Sequence, residues 1–223
     1  MSKRNQIISL IYLALLFSLL ILKFLNHRIV AAIIPHHLLA KELVEDLASR
    51  LQKKPPSKII IIGPNHDEIG SDNITNDQKI LTKDHACFGP KNILQSYMPE
   101  TNIDCFLIST KTTASQIDQF VKSIDSTTLL IASIDFSHYL NYQQAIKNDL
   151  ETKKLIENYQ SNRLRFLNND YLDSPKTLAI LFEYLKKYQQ PPPQIIYNLN
   201  SYQIDPQTSP ESTTSYFEII YQY

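Results

Sequence analysis

Glycine is scarce in this chain, with three residues in 223. A loop that cradles phosphate with bare backbone needs several glycines close together, so neither a G-x-G-x-x-G nor a Walker motif is present. G-x-S-x-G is absent too, which argues against the common serine-hydrolase elbow. Neither sign of charge prevails: Lys+Arg and Asp+Glu stand at 22 each. A chain so balanced has no electrostatic footprint for nucleic acid. No nucleotide cofactor and no nucleic-acid partner are therefore expected. Cysteine is rare as well. Cys87 and Cys105 are too few for a disulfide framework and lack the close C-x-x-C spacing of a zinc site. They read as small buried hydrophobes.

Long apolar runs are missing except at the start. Ile7 to Leu22 carries no charge, and Phe24 and Leu25 follow Lys23. The run is longer than a signal-peptide core and shorter than a full span, with no A-x-A cleavage site at a sensible distance. Residues 1–27 are read as an uncleaved single-pass membrane anchor, with cleavage and secretion, or a buried helix, as alternatives. Lys3 and Arg4 on one flank compete with Lys23 and Arg28 on the other. The preferred orientation puts the domain, residues 28–223, outside the cytoplasm.

Within that domain strand and helix signals alternate. Arg28–Ile34, Lys58–Ile62, Ile103–Ser109 and Thr127–Ile134 are short apolar runs of the kind buried on both faces of a sheet. Leu38–Gln52, Lys91–Tyr97, Ala114–Ile124, Tyr142–Tyr159 and Pro175–Tyr188 carry helical periodicity. Gln194–Asn200 and Thr213–Tyr221 close the chain as strands. The alternation predicts a three-layer α/β/α sandwich around a mostly parallel sheet, preceded by the hydrophobic anchor helix. Residues 63–83 read as one long polar loop, and Asp67 and Glu68 as solvated charges.

Four of the six histidines stand where predicted strands run out: His36 and His37 in IIPHH, His66 in IIGPNH and His138 in SIDFSHY. In open α/β sheets that rim is where ligands bind. Imidazole is both a common metal ligand and a proton shuttle near neutral pH. Asp135 lies where a buried strand meets the rim, so it needs a partner. It is placed to orient His36 or His138. His85 lies in a polar loop. His37 reads as a helix-start residue and His27 as a membrane-flank residue.

PHH, GPNH, Asp84-His85 and DFSHY, in that order, resemble the Memo-like proteins, also called AmmeMemoRadiSam system protein B. These are related in fold to class III extradiol dioxygenases. The resemblance runs from Val30 to Tyr223. The family pattern is PHAGY, GP[SN]H, EHSIE, SSDFSHY, a Cys-Gly pair opening a late helix, and a terminal SY. Here PHAGY has become PHHLL and EHSIE has become DHACF. The family's cysteine falls at Asp173, and Ser215-Tyr216 matches the terminal SY.

The resemblance implies a metal pocket with His36, His66 and Asp173 as ligands. Two histidines and a carboxylate are the usual non-haem Fe(II) set. Iron is the expected metal, with copper the other choice. His138 would act as general acid or base, Asp135 as its partner, and His85 would line the pocket. The implied function is membrane-anchored oxidoreductase or dioxygenase-like chemistry. The alternative is a non-catalytic module that binds a peptide or partner protein of an AmmeMemoRadiSam-type system.

Overall fold

The computed structural model describes residues 28–223. It is a mixed α/β fold. The strands are β1 (Ile29–Ile34), β2 (Lys58–Pro64), β3 (Ile74–Thr75), β4 (Asn102–Ile108), β5 (Leu129–Ser133), β6 (Phe136–Leu140), β7 (Pro193–Asn200) and β8 (Thr213–Gln222). They form one sheet in the order β3-β4-β2-β5-β1-β8-β6, with β7 also paired to β8. β4, β2, β5 and β1 run parallel, while β8 joins β1 antiparallel. The last two strands, β7 and β8, pair antiparallel.

The helices are α1 (Lys41–Gln52), α2 (Gln78–Leu81), α3 (His85–Tyr97), α4 (Ala114–Ser123), α5 (Tyr142–Glu157), α6 (Pro175–Leu185) and α7 (Ser201–Ile204). Alternate strand residues feed two apolar clusters, because side chains on a strand point to opposite faces. Ile60, Ile62, Leu130 and Ala132 pack with α4 and α6. Ile59, Ile61, Leu129 and Ile131 pack with α1 and α3. This two-sided burial is why β2 is an unbroken isoleucine run rather than an alternating pattern.

Two expectations are corrected. The anchor drawn from Ile7–Leu25 lies outside the described residues. Among the described residues no helix is long and apolar enough to cross a membrane. The longest, α5, has 16 residues and one buried face. At 1.5 Å per residue it falls short of a hydrocarbon core about 30 Å thick. Membrane attachment, single-pass topology and extracytoplasmic placement are therefore unsupported.

The cysteines are not separate hydrophobes either. Cys87 and Cys105 form a disulfide with a Cα–Cα distance of 6.0 Å. The helix expected at Lys91 begins six residues earlier, at His85, which lays Cys87 over β4. Closing a loop of this length is worth about 3 kcal/mol in the chain-entropy account.

Pro90 sits inside α3, where it cannot donate to the carbonyl four residues back. That carbonyl belongs to Ala86, and it accepts from Ser133 Oγ at 2.5 Å instead. The helix start is thereby stitched to the end of β5. Gly63 permits the approach: a Cβ there would lie 3.0 Å from Ala86 Cβ.

Candidate metal centre at the strand ends

The carboxyl ends of β1, β2 and β5 lie side by side, since these strands are parallel and adjacent. The segments leaving them carry His36, His66 and Asp135. The stitched start of α3 adds His85. The imidazoles of His36, His66 and His85 meet there. Ring centroids are 5.1 Å apart for His36–His66, 5.0 Å for His36–His85 and 4.6 Å for His66–His85, the last pair stacked at 9°. One ligand atom from each lies within 4.8 Å of the other two.

His36 also belongs to a second group, with Asp135 and Asp173. Its Nε2 is 3.2 Å from Asp173 Oδ2 and 3.5 Å from Asp135 Oδ2. Asp135 Oδ1 accepts the backbone N–H of His36 at 3.1 Å. Asp173 Oδ2 accepts the N–H of Asp135 at 3.3 Å, and Asp135 O accepts the N–H of Asp173 at 3.1 Å. A bridge between Phe136 and Leu172 holds these two segments together. Asp173 is thus free of capping duty: Ser174 caps α6 and Pro175 opens it.

Burial decides the charge states. His36 is pushed down to about 3, by burial first and then by the positive potential of His66 and His85. It is therefore neutral at neutral pH and able to ligate. Burial raises Asp135, and raises Asp173 well above the usual carboxylate range with help from the charge on Asp135. Two buried carboxylates this close do not both ionise freely. Burial therefore favours a protonated carboxyl within this pair, beside His36. His36 Nδ1 and Asp173 Oδ1 are buried without a hydrogen-bond partner, polar atoms that an ion or water would satisfy.

His66 is fixed differently. Its Nδ1 lies 2.9 Å from Asp84 Oδ1, and its backbone N–H donates to Asp84 Oδ2 at 2.9 Å. Burial works against ionisation of Asp84, yet the bonds from His66 and Ala86 hold its carboxyl below the usual value. Ionised Asp84 accepts from Nδ1–H, which leaves Nε2 of His66 as the free lone pair. This carboxylate–histidine arrangement orients metal-binding imidazoles. Asp84 also caps α3 through Ala86 N at 2.9 Å, so one carboxylate aims His66 and starts the helix that carries His85. Burial, then the charge of His66, lowers His85 as well.

The expected ligands His36, His66 and Asp173 are divided by the structure. His36 and His66 meet with His85, whereas Asp173 meets His36 with Asp135. Asp135 turns to His36, not to a close pair with His138. His138 stands on β6 between Ser137 and Tyr139, whose φ angles are +30° and +57°. Such left-handed residues are costly away from glycine and mark a side chain aimed by its surroundings. Its Nδ1 is buried and unpartnered. Burial lowers its pKa against the pull of Asp135. His37 caps the turn Leu38–Ala40 and stacks on Tyr216 at 6.0 Å.

Glu68 is not a solvated charge, because Thr110 N donates to it at 2.7 Å and Ser109 Oγ also donates to it. It closes the loop behind His66. Partial burial opposes ionisation there, but those bonds keep its carboxyl below the usual value.

No family model matches the chain, and no curated protein matches it. The Memo-like and dioxygenase identity implied by the motifs is thereby left without support and does not enter the functional assignment.

Proposed function

We propose that this domain binds a transition-metal ion through His36, His66 and His85. The observation that carries the reading is the convergence of the three imidazoles from separate segments, with their ligand atoms within 4.8 Å of one another. A neutral His36 and an Asp84-oriented His66 make two of them ready ligands. Imidazole sets suit zinc, copper, iron and nickel. A three-histidine set leaves further positions open for water or a ligand, as catalytic sites do. The expected Fe(II) set would need Asp173 to replace His85. Zinc and copper fit the nitrogen-rich group better.

When bound, such an ion acidifies a water or polarises an oxygen ligand. The protein's own groups then have clear tasks. His36, His66 and His85 hold position. The Asp135–Asp173 pair keeps a proton beside His36, and His138 offers a second proton-exchanging group at the rim. Titration of the purified chain with Zn(II), Cu(II) and Fe(II) tests the reading. One equivalent of Zn(II) or Cu(II) is expected, lost in His36→Ala. Absence of stoichiometric uptake for all three metals would overturn it.

A further inference from the structure

The three histidines of the metal centre are not held equally. His36 is buried, and its backbone N–H donates to Asp135. His66 is held at its ring and at its N–H by Asp84. Both follow strands fixed by ladder hydrogen bonds. His85 is exposed, and its imidazole only packs against the other two rings. Its place is set by the first turn of α3. That turn is short of hydrogen bonds of its own. The first amides of a helix lack intrahelical acceptors, and Pro90 has no N–H to give to Ala86 O. Other ties secure the turn. Asp84 caps Ala86 N, and Ser133 Oγ donates to Ala86 O. The Cys87–Cys105 disulfide, a covalent tie, joins the residue two beyond His85 to β4. Cys105 is in register with Ile61 of β2, and Cys87 Sγ lies 3.8 Å from Ile61 O. The bond thus fastens the turn over the strand that leads to His66.

We infer that the redox state of Cys87–Cys105 regulates the metal centre: the disulfide holds His85 in ligating position, and its reduction loosens the hold on the ion. The inference rests on the three-histidine reading and adds its regulation. Reduction by a dithiol proceeds by thiolate exchange. The S–S bond opens, the two sulfurs take up two electrons and two protons to become thiols, and the dithiol closes to its own disulfide. Cys87 and Cys105 are both buried, so exchange requires the turn to lift from the sheet. An ion that holds His85 down opposes that opening. Ion and disulfide therefore protect one another by the same factor.

The test compares Zn(II) affinity of the oxidised chain with that of Cys87→Ala combined with Cys105→Ala, which lacks both the bond and the thiols that would themselves take zinc. A fall of at least about 10-fold is expected, the size seen when a support behind a ligand is lost. In the His85→Ala background the same two substitutions should change affinity by less than about twofold, because the ligand that the disulfide places is already gone. Leu181→Ala opens a cavity in the apolar cluster on the other face of the sheet. It costs stability and should leave Zn(II) affinity unchanged. One measurement needs no variant. Saturation with Zn(II) should slow reduction of the native disulfide by a water-soluble phosphine, which gives up two electrons and becomes its oxide, by about tenfold. No Zn(II) uptake by the oxidised chain would sink the metal reading, and this inference with it. Uptake with equal affinity in the cysteine variant, an equal fall in Leu181→Ala, or a reduction rate indifferent to Zn(II) would overturn this inference alone.

Discussion

The two ends of the sheet make an instructive pair. At the carboxyl ends of the parallel strands, ionisable groups crowd together and several lack partners. At the other end lies a cleft of about 390 Å³ lined by Arg28, Arg50, Lys53 and Lys54 among others. By size and charge it looks the better binding site. Yet the cations there have structural work. Arg50 Nε lies 2.6 Å from Asp46 Oδ2 and 3.7 Å from Glu218 Oε1. Arg28 donates to the carbonyls of Ser126 and Thr127. Lys53 and Lys54 follow the end of α1, where positive charge complements the helix dipole. A hollow with satisfied cations is a packing outcome, whereas a small rim with buried, unpartnered imidazole and carboxyl atoms is poised for a ligand.

Substitutions can break that contrast. The largest effect is expected from His36→Ala, which removes the residue shared by both groups: Zn(II) affinity should fall by more than about 100-fold, read by competition with a chelating dye. Asp84→Asn should weaken Zn(II) binding roughly 10- to 100-fold, because His66 then loses the carboxylate that aims it. A fall of less than threefold would mean Asp84 is only a helix cap.

The buried carboxyl beside Arg50 should respond in stability instead. Glu218 is fully buried and its carboxyl oxygens have no hydrogen-bond partner. Burial, then the charge of Asp46, pushes its pKa up to about 8 from 4.5. The folded state thus keeps a proton that the unfolded chain releases. Its contribution is fully present below pH 4.5 and is lost as pH rises through about 8. Glu218→Gln should abolish this loss, gaining on the order of 4 kcal/mol at pH 9 relative to pH 4.5. Thermal melts at the two pH values check it, and an equal gain at both would contradict the assignment. Smallest of all, Lys53→Ala with Lys54→Ala should shift stability by less than about 0.5 kcal/mol and leave Zn(II) uptake intact.

Local pattern revealed what local physics controls. The isoleucine run of β2, the Leu periodicity of α1 and the Ser174-Pro175 start of α6 all follow from short-range rules. Strand-end histidines were legible because Pro35 and Pro64 end their strands abruptly. What stayed hidden depends on distant packing. Pro90 masked the true start of α3, since its orphaned partner carbonyl is satisfied by Ser133, 47 residues from Ala86. With that start went the disulfide, the place of His85 among the candidate ligands rather than only at the pocket wall, and the bond from His66 to Asp84. One signal was available: Asp84 before His85-Ala86-Cys87-Phe88 has the form of a helix cap. The pairing of Asp173 with Asp135 and His36 had no such signal, because residues 38 apart meet only through tertiary hydrogen bonds.

The central claim is that three imidazoles, and not two with a carboxylate, take the ion. X-ray absorption of the Zn(II)-loaded chain addresses it directly. The account predicts three imidazole nitrogens at about 2.0–2.1 Å, falling to two in His85→Ala and staying at three in Asp173→Asn. Two nitrogens in the unaltered chain, with an oxygen that disappears in Asp173→Asn, would contradict it.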